Sequence, residues 1–159
     1  MLASGSDDDT VRLWNLANPQ HATPLGQPLT GHTNAVKAIA FQPGGRLLAS
    51  GGDDSTVRLW NLTDPSHPTS MGQALTGHTG PIYAMAFSPD GHTLISGSGD
   101  KTVRLWNIPS SISISVTGPV YSVAFSSDGR TAATGGSDGS IRLWDLRDPR
   151  NTVPLGPSF

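Results

Sequence analysis

Asp54-Ser55-Thr56-Val57-Arg58-Leu59-Trp60-Asn61-Leu62 is a phrase that the chain writes four times. Around Trp14 it reads Asp8-Asp9-Thr10-Val11-Arg12-Leu13-Trp14-Asn15-Leu16. Around Trp106 it reads Asp100-Lys101-Thr102-Val103-Arg104-Leu105-Trp106-Asn107-Ile108, and around Trp144 Asp138-Gly139-Ser140-Ile141-Arg142-Leu143-Trp144-Asp145-Leu146. Every Trp of the protein sits in this phrase. Self-similarity of this kind decides the fold before any local reading does, because one repeat is one structural unit.

The four Trp residues stand 46, 46 and 38 positions apart, and other residues keep their frame. Phe41, Phe87 and Phe125 lie 19 positions before their Trp, and Gly45, Gly91 and Gly129 lie 15 before. A hydroxyl falls 10 before each Trp, as Ser4, Ser50, Ser96 and Thr134. His32 and His78 lie 28 before, each as Gly-His. No long run has the 3.6-residue spacing that a helical solenoid of this period would need. The runs are short, rich in Val, Ile, Thr and aromatics, and punctuated by Gly, Pro and Asp, which reads as strands joined by turns.

This frame resembles the WD-repeat β-propeller family, whose unit of roughly 40–45 residues carries Gly-His near its start and Trp-Asp near its end. The resemblance covers nearly the whole chain. Three of the four dipeptides are Trp-Asn, and only Trp144-Asp145 has the family form. That departure costs little if the Trp supplies the buried bulk.

Composition narrows the remaining classes. Of 159 residues only 14% are charged, and a net charge of −2 offers no field to steer nucleic acid. The 19 Gly and 13 Pro fall between the apolar runs, as turn residues do, rather than in a low-complexity tract. With no Cys there is neither a disulfide framework nor a thiolate metal site. No apolar run has transmembrane length and no signal pattern opens the chain, so the sequence reads as cytoplasmic, with no membrane partner and no cofactor.

Taken in order, Met1–Ser6 matches Leu48–Gly52, the second strand of a unit, so the first blade is expected to lack its inner strand. Its third strand is Thr10–Leu16 and its outer strand about Thr23–Thr30. The next unit has inner Ala35–Phe41, then Leu47–Gly51, Thr56–Leu62 and an outer strand about Thr69–Leu75. The third has Gly80–Phe87, Thr93–Gly97 and Thr102–Ile108. Eight residues are then missing relative to the earlier units, and Val116 stands where a third Gly-His would place its His. Ile112–Val116 still alternates and could form a short outer strand. The fourth unit has Val120–Phe125, Thr131–Gly135 and Ser140–Leu146, after which Asp148-Pro149 and Leu155-Gly156 copy Asp64-Pro65 and Met71-Gly72. The expectation is an all-β partial propeller in one segment, 1–159, with blades of about 1–31, 32–77, 78–117 and 118–159. Its third and fourth blades should have poor outer strands.

The inner strands carry one further signal. Val36, Ile39 and Phe41 are spaced by three and then two, as are Ile82, Met85, Phe87 and Val120, Val123, Phe125. Such spacing cannot hold one face of a regular strand, so a β-bulge is expected near Lys37, Tyr83 and Tyr121.

The family resemblance implies a hydrogen-bonded structural tetrad in each complete unit: His32, Ser50, Asp54 and Trp60, then His78, Ser96, Asp100 and Trp106. The first and fourth units keep Ser4, Asp8, Trp14 and Thr134, Asp138, Trp144 without a His. Ser, His and Asp together also invite a catalytic triad reading. A triad has no reason to be built twice at identical spacing, whereas a structural device repeated per blade does. Ser137, in Gly135-Gly136-Ser137-Asp138-Gly139, matches a nucleophile elbow, but a strand rather than a helix is expected to follow. Asp7-Asp8-Asp9 lacks the alternation and closing Glu of a calcium loop. His21 and His67 share the repeat spacing with His32 and His78, so repetition rather than metal accounts for four of the five His. Arg12, Arg58, Arg104 and Arg142, one per blade, are expected to lie over apolar surface.

The resemblance implies a non-catalytic protein–protein interaction scaffold. The face carrying the Gly-His loops and Asp turns is the expected partner surface, with Asn34, Lys37, Asp53, Tyr83 and Tyr121 as candidate contacts. Tyr83 and Tyr121 could equally line the central channel. Starting and stopping mid-repeat favours the alternative of a truncated piece of a larger regulatory or signalling protein, since many bacterial relatives append such repeats to NTPase or kinase domains. Open strand edges at Leu2–Ser6 and Ile112–Val116 suggest self-association, two chains pairing edge to edge. A ligand-binding or hydrolytic propeller is the rival of a different class; the absence of unrepeated acid–base pairs speaks against it.

Overall fold

The computed structural model describes residues 1–107, 110–147 and 153–158. Fifteen strands form four antiparallel sheets and, among the described residues, no helix. The first sheet is three-stranded: β1 (Leu2–Gly5), β2 (Val11–Asn15) and β3 (Thr23–Pro24). The second orders β4 (Val36–Phe41), β5 (Leu47–Gly52), β6 (Val57–Asn61) and β7 (Thr69–Ser70). The third orders β8 (Ile82–Phe87), β9 (Thr93–Ser98), β10 (Thr102–Asn107) and β11 (Ser110–Ser115). The fourth orders β12 (Val120–Phe125), β13 (Thr131–Gly136), β14 (Ile141–Asp145) and β15 (Val153–Pro154). This is the partial propeller that the repeat implies, its first blade without an inner strand. The expected end of the Trp106 strand at Ile108 and the Asp148-Pro149 turn lie outside the described residues.

The hydrophobic core sits between sheets rather than within them. Val11, Leu13 and Leu29 of the first sheet pack with Val36, Leu48, Trp60 and Leu62 of the second. Val57 and Leu59 meet Ile82, Leu94 and Trp106 in the next seam, and Val103 and Leu105 meet Val120, Ala132, Trp144 and Leu146 in the last. Trp60, Trp106 and Trp144 therefore each cover the third strand of the preceding unit. Trp60, Trp106 and Trp144 are 3–5% exposed, whereas Trp14 of the first unit is only partly buried.

Each inner strand carries its bulge. The register of β4 on β5 jumps between Val36 and Ala38, of β8 on β9 between Ile82 and Ala84, and of β12 on β13 between Val120 and Ser122. The skipped residues are Lys37, Tyr83 and Tyr121. The slip returns the next apolar positions to the seam: Val36, Ile39 and Phe41 all reach one cluster, as do Ile82, Met85 and Phe87 in the next.

The outer strands differ from expectation. In the first two units the ladder stops after Thr23–Pro24 and Thr69–Ser70, and pairing resumes only as isolated bridges, Val11 with Leu29 and Val57 with Leu75. Gly26 and Gly72, at φ of 73° and 75°, turn the chain away between these points. The third unit, expected to be poor here, has the longest outer strand, running from Asn107–Ser110 to Thr102–Ser115. Its Ser-Ile alternation contains no Gly and no Pro, so nothing interrupts the pairing. In the fourth unit Trp144 pairs with Pro154 as Trp60 pairs with Ser70, and the position that would resume pairing lies outside the described residues. Ile114 and Val116 pack against the last seam, while Ile141 is 52% exposed.

Candidate interaction face

The second and third units build the same relay. His32 Nδ1 lies 2.8 Å from Asp54 Oδ2 and its Nε2 2.8 Å from Ser50 Oγ, while Trp60 Nε1 donates to Ser50 Oγ at 2.8 Å. His78, Asp100, Ser96 and Trp106 repeat these three distances at 2.8 Å. Directions follow from chemistry. A carboxylate only accepts, so Nδ1 carries the ring proton; an indole only donates, so the Ser oxygen accepts from it and gives its own hydrogen to Nε2. Every polar atom is satisfied by a neutral imidazole. Burial holds His78 below its ordinary 6.5, against the pull of Asp100.

Each Asp does more than hold a His. Burial alone would raise the Asp100 carboxyl, but the Thr102 hydroxyl, the Thr79 N–H and His78 outweigh it and bring it to about 2. Burial opposes the Thr56 and Thr33 N–H groups and His32 at Asp54 in the same way, and the carboxyl again ends below its ordinary value. Thr33 N donates to Asp54 Oδ2 at 3.1 Å and Thr79 N to Asp100 Oδ2 at 2.9 Å. The Gly-His loop and the Asp turn are thus tied together at one end of the blade.

Sequence reading missed the hydroxyl two residues after each Asp. Thr10, Thr56, Thr102 and Ser140 donate to Asp8, Asp54, Asp100 and Asp138 Oδ1 at 2.6, 2.9, 2.6 and 2.5 Å. The signal was present, because a hydroxyl recurs there in all four units.

The repeated Arg has two roles, not the single one expected. Where a His is present, Arg104 donates to Gly77 O at 2.6 Å and lies 5.9 Å from the Trp106 ring centroid. The Arg58 guanidinium lies against Gly31. Where the His is missing, the guanidinium turns to the carboxylate. Arg12 Nη2 reaches Asp8 at 3.0 Å, and Arg142 Nη2 reaches Asp138 at 2.7 Å and Thr117 Oγ1 at 2.8 Å. Trp14 and Trp144 keep their bonds, to Ser4 Oγ and Thr134 Oγ1, each at 2.9 Å.

A Ser–His–Asp relay at these distances has triad geometry. Ser50 and Ser96, however, are 0% exposed, and each oxygen already accepts an indole N–H. No substrate carbonyl can approach either one. Ser137 sits in an exposed turn that leads into β14, a strand, not into a helix.

At the end of the blades where the Asp turns emerge, the bulge residues bridge neighbouring units. Lys37 Nζ lies 2.6 Å from Asp7 Oδ1 of the first unit and 3.8 Å from Asp53 Oδ2 of its own. The Asp7 contact raises the ammonium above its ordinary value. Tyr83 and Tyr121 place their ring centroids 5.2 Å apart with a 49° tilt, and Tyr121 is 54% exposed. Asn34 is exposed beside His32, its Oδ1 accepting from Ala35 N at 2.9 Å.

The family described as WD domain, G-beta repeat matches residues 1–15, 23–61, 70–107 and 111–145. The chain belongs to the WD-repeat family. Among curated proteins it resembles the nuclear distribution protein nudF 2 of Aspergillus clavatus, with 47% identity over 47 residues, 30% of this chain and 10% of that protein. It resembles equally the nuclear distribution protein PAC1-2 of Uncinocarpus reesii, over 30% of this chain and 9% of that protein. The chain thus aligns with about a tenth of the length of these relatives. WD repeats generally mediate protein–protein interaction and are typically non-enzymatic scaffolds. Among the described residues no helix is long and apolar enough to cross a membrane.

The WD-repeat signature also explains its own variants here. Asn15 and Asn61 Oδ1 each accept, at 2.9 Å, the N–H two residues on, and Asp145 Oδ1 does the same at 3.0 Å. An amide oxygen turns the chain at the strand end as well as a carboxylate does.

Proposed function

We propose that this WD-repeat chain is a non-catalytic scaffold that binds a protein partner on the face bearing the Gly-His loops and Asp turns. The observation that carries the reading is the Tyr83–Tyr121 pair. Two aromatic rings 5.2 Å apart, one of them 54% exposed, stand on bulges that remove them from the ladder. Large amphipathic rings on a rigid base are what dominant interface contacts are made of. The relays beneath hold the loops, so binding there loses little conformational entropy. On the second unit Lys37, Asp53 and Asn34 add charge and hydrogen-bonding groups of the kind found in the polar rim of such an interface. The test is affinity capture of a partner by the full chain, followed by two double variants. Tyr83→Ala with Tyr121→Ala should abolish capture, while Asp90→Ala with Asp128→Ala, on the opposite turns, should leave it intact. Loss from the second pair alone would overturn the assignment.

A second reading is favoured by the coverage of the relatives: the chain acts as one piece of a larger regulatory or signalling protein, without activity of its own. An antibody against the repeats separates the two. Detection in cell extract only within a much longer polypeptide supports the second reading, and detection of a species of 16.6 kDa supports the first.

A further inference from the structure

Outer strands carry the free edges of these sheets, and three of the four are guarded. β3 and β7 pair over two residues before Gly26 and Gly72 turn the chain away, and β3 and β15 hold Pro24 and Pro154. A short edge, ended by a sharp turn or holding a Pro, gives another strand little to pair with. β11 is different. It runs six residues, Ser110–Ser115, without Gly, Pro or a charged residue, and nothing among the described residues pairs with its outer side. No charged residue stands anywhere from Leu105 to Ser127. The phase of the ladder decides which backbone groups face out. Val116 N donates to Lys101 O at 2.8 Å, in the same register that pairs Ile114 with Val103 and Ile112 with Leu105. Antiparallel pairs alternate between bonded and non-bonded. Ile112 and Ile114 therefore commit their backbone groups to β10, while Ser111, Ser113 and Ser115 turn theirs outward.

We propose that the outer edge of β11 is a self-association site, where β11 of a second copy of this chain pairs antiparallel to it across a twofold axis at Ser113. The edge itself specifies this occupant. In that register Ser113 faces its own copy and Ser111 faces Ser115, so every outward N–H and C=O gains a partner. Ile112 then stands opposite Ile114, in the closer, non-bonded kind of pair. A slip by one residue would set outward backbone groups against committed ones, so the register is fixed. Two identical segments bring like opposite like, which a charged edge would resist, and this one is neutral throughout. The contact is isologous, so association stops at the dimer. Two strands, β9 and β10, separate β11 from β8, which carries Tyr83, and the site is independent of the partner face described above.

Sedimentation velocity on the full chain at concentrations up to about 1 mM tests the proposal. The unaltered chain should pass from monomer to dimer and no further. Ser113→Pro removes an outward N–H and leaves the β10–β11 bonds in place, so it should melt as the parent does and remain monomeric. Ser113→Lys and Ser113→Glu each set like charges opposite one another at the axis and should weaken the dimer about fivefold or more. Mixed in equal amounts, these two variants should pair at least as tightly as the parent, because the axis then sets Lys against Glu. If Ser113→Pro unfolds, the two charged variants carry the test by themselves. A monomer at every concentration overturns the proposal, whether or not a strand of another protein takes the edge. So does a dimer untouched by Ser113→Pro, or a mixture no tighter than either charged variant alone, which would place the contact off this axis.

Discussion

Arg142 holds Asp138 at 2.7 Å in the fourth unit, in the role that the His78 ring has beside Asp100 in the third. The His pair is almost fully enclosed, with 0 and 5% of the two side chains exposed, whereas Arg142 and Asp138 keep 19 and 28%. A guanidinium donates to Thr117 and Asp138 together, and the Thr117 hydroxyl itself donates to Asp138, so these two side chains tie loop to turn where the ring and its backbone neighbour do so in the third unit. Arg142→Ala should therefore lower the melting temperature, and added salt should shrink the difference, because this ion pair is reached by solvent. Arg104→Ala should also destabilise, but through lost packing over Trp106 and an unmet Gly77 carbonyl, with little response to salt. Urea titrations at low and high salt distinguish them, and an equal salt response from both variants would contradict the division of roles.

Within a complete relay the cost of each deletion should follow burial. Asp54→Ala leaves His32 Nδ1 and the Thr33 and Thr56 N–H groups without their acceptor, at about 1–3 kcal/mol for a buried unmet donor. Trp60→Ala opens a cavity in the first seam and should cost more, roughly 3–5 kcal/mol. Trp14→Ala should cost clearly less, since that ring is only partly buried. Chemical denaturation of the three variants gives the order directly. A Trp14 variant as unstable as the Trp60 variant would show that the seam is not what buries the ring.

How much of this was legible in the sequence depends on which residues the repeat constrains. Trp60 and its equivalents, the hydroxyls at Ser50 and Ser96, and the uneven spacing of Val36, Ile39 and Phe41 all answer to one seam. They recur unchanged, and fold, missing strand and bulges could be read from them. The outer strands answer to local chain direction. There the deciding residues are Gly26 and Gly72, whose positive φ breaks the ladder, and the uninterrupted Ser110–Ser115 run, whose ladder does not break. The two roles of Arg58 and Arg142 were invisible for another reason. The same residue in the same register turns one way or the other according to a His that lies far away in sequence, and only the folded contact shows which.

The small residue after the second-strand hydroxyl should respond oppositely in the middle and at the end of the chain. A Cβ on Gly51 would stand 2.7 Å from Ile82 Cγ2 and 3.2 Å from Met85 Sδ, both fixed in the second seam. Gly51→Ala should cost about 1–3 kcal/mol as an overpacked core does. At Gly135 the only close atom is the Ser122 hydroxyl oxygen at 2.6 Å, which can rotate away. Gly135→Ala should be nearly neutral in thermal melts. Equal losses at both sites would mean that the clash is with the unit's own strand and not with its neighbour.

The turn between the Asp and its hydroxyl residue offers a stabilising change. Asp9, Ser55 and Lys101 hold φ of 66°, 64° and 67° there, while the fourth unit uses Gly139 at 76°. A left-handed conformation costs an L-residue roughly 1–2 kcal/mol, partly offset by the greater freedom of Gly when unfolded. Lys101→Gly should therefore raise stability by a few tenths to about 1 kcal/mol. A higher urea midpoint at unchanged slope is the expected reading, and a lower midpoint would show that the Lys101 side chain contributes more than the strain removes.

Acid should unfold the repeats in two stages. His78 is held below its ordinary 6.5, so the unfolded chain takes up a proton on this ring before the folded chain does. The stability gained from the neutral ring is full above about pH 6.5 and is lost as pH falls toward the folded value. Asp100 responds lower on the scale. Its carboxyl is held at about 2 against an ordinary 3.8, so its contribution is full above 3.8 and disappears as pH drops through about 2. Both signs agree: protons favour the unfolded state at each step. The first stage belongs to the ring, since protonation puts a hydrogen on Nε2, which must then stop accepting from the Ser96 hydroxyl. His78→Gln removes the titrating group while keeping an amide that can hydrogen-bond, and should flatten the loss that begins below about pH 6.5 while leaving the lower acid limb of Asp100 in place. Denaturant titrations of parent and variant at stepped pH give both limbs. A parent whose stability stays level as pH falls from 7 toward the carboxylate range, or a variant that keeps the parent's slope there, would show that the ring is not the group being titrated.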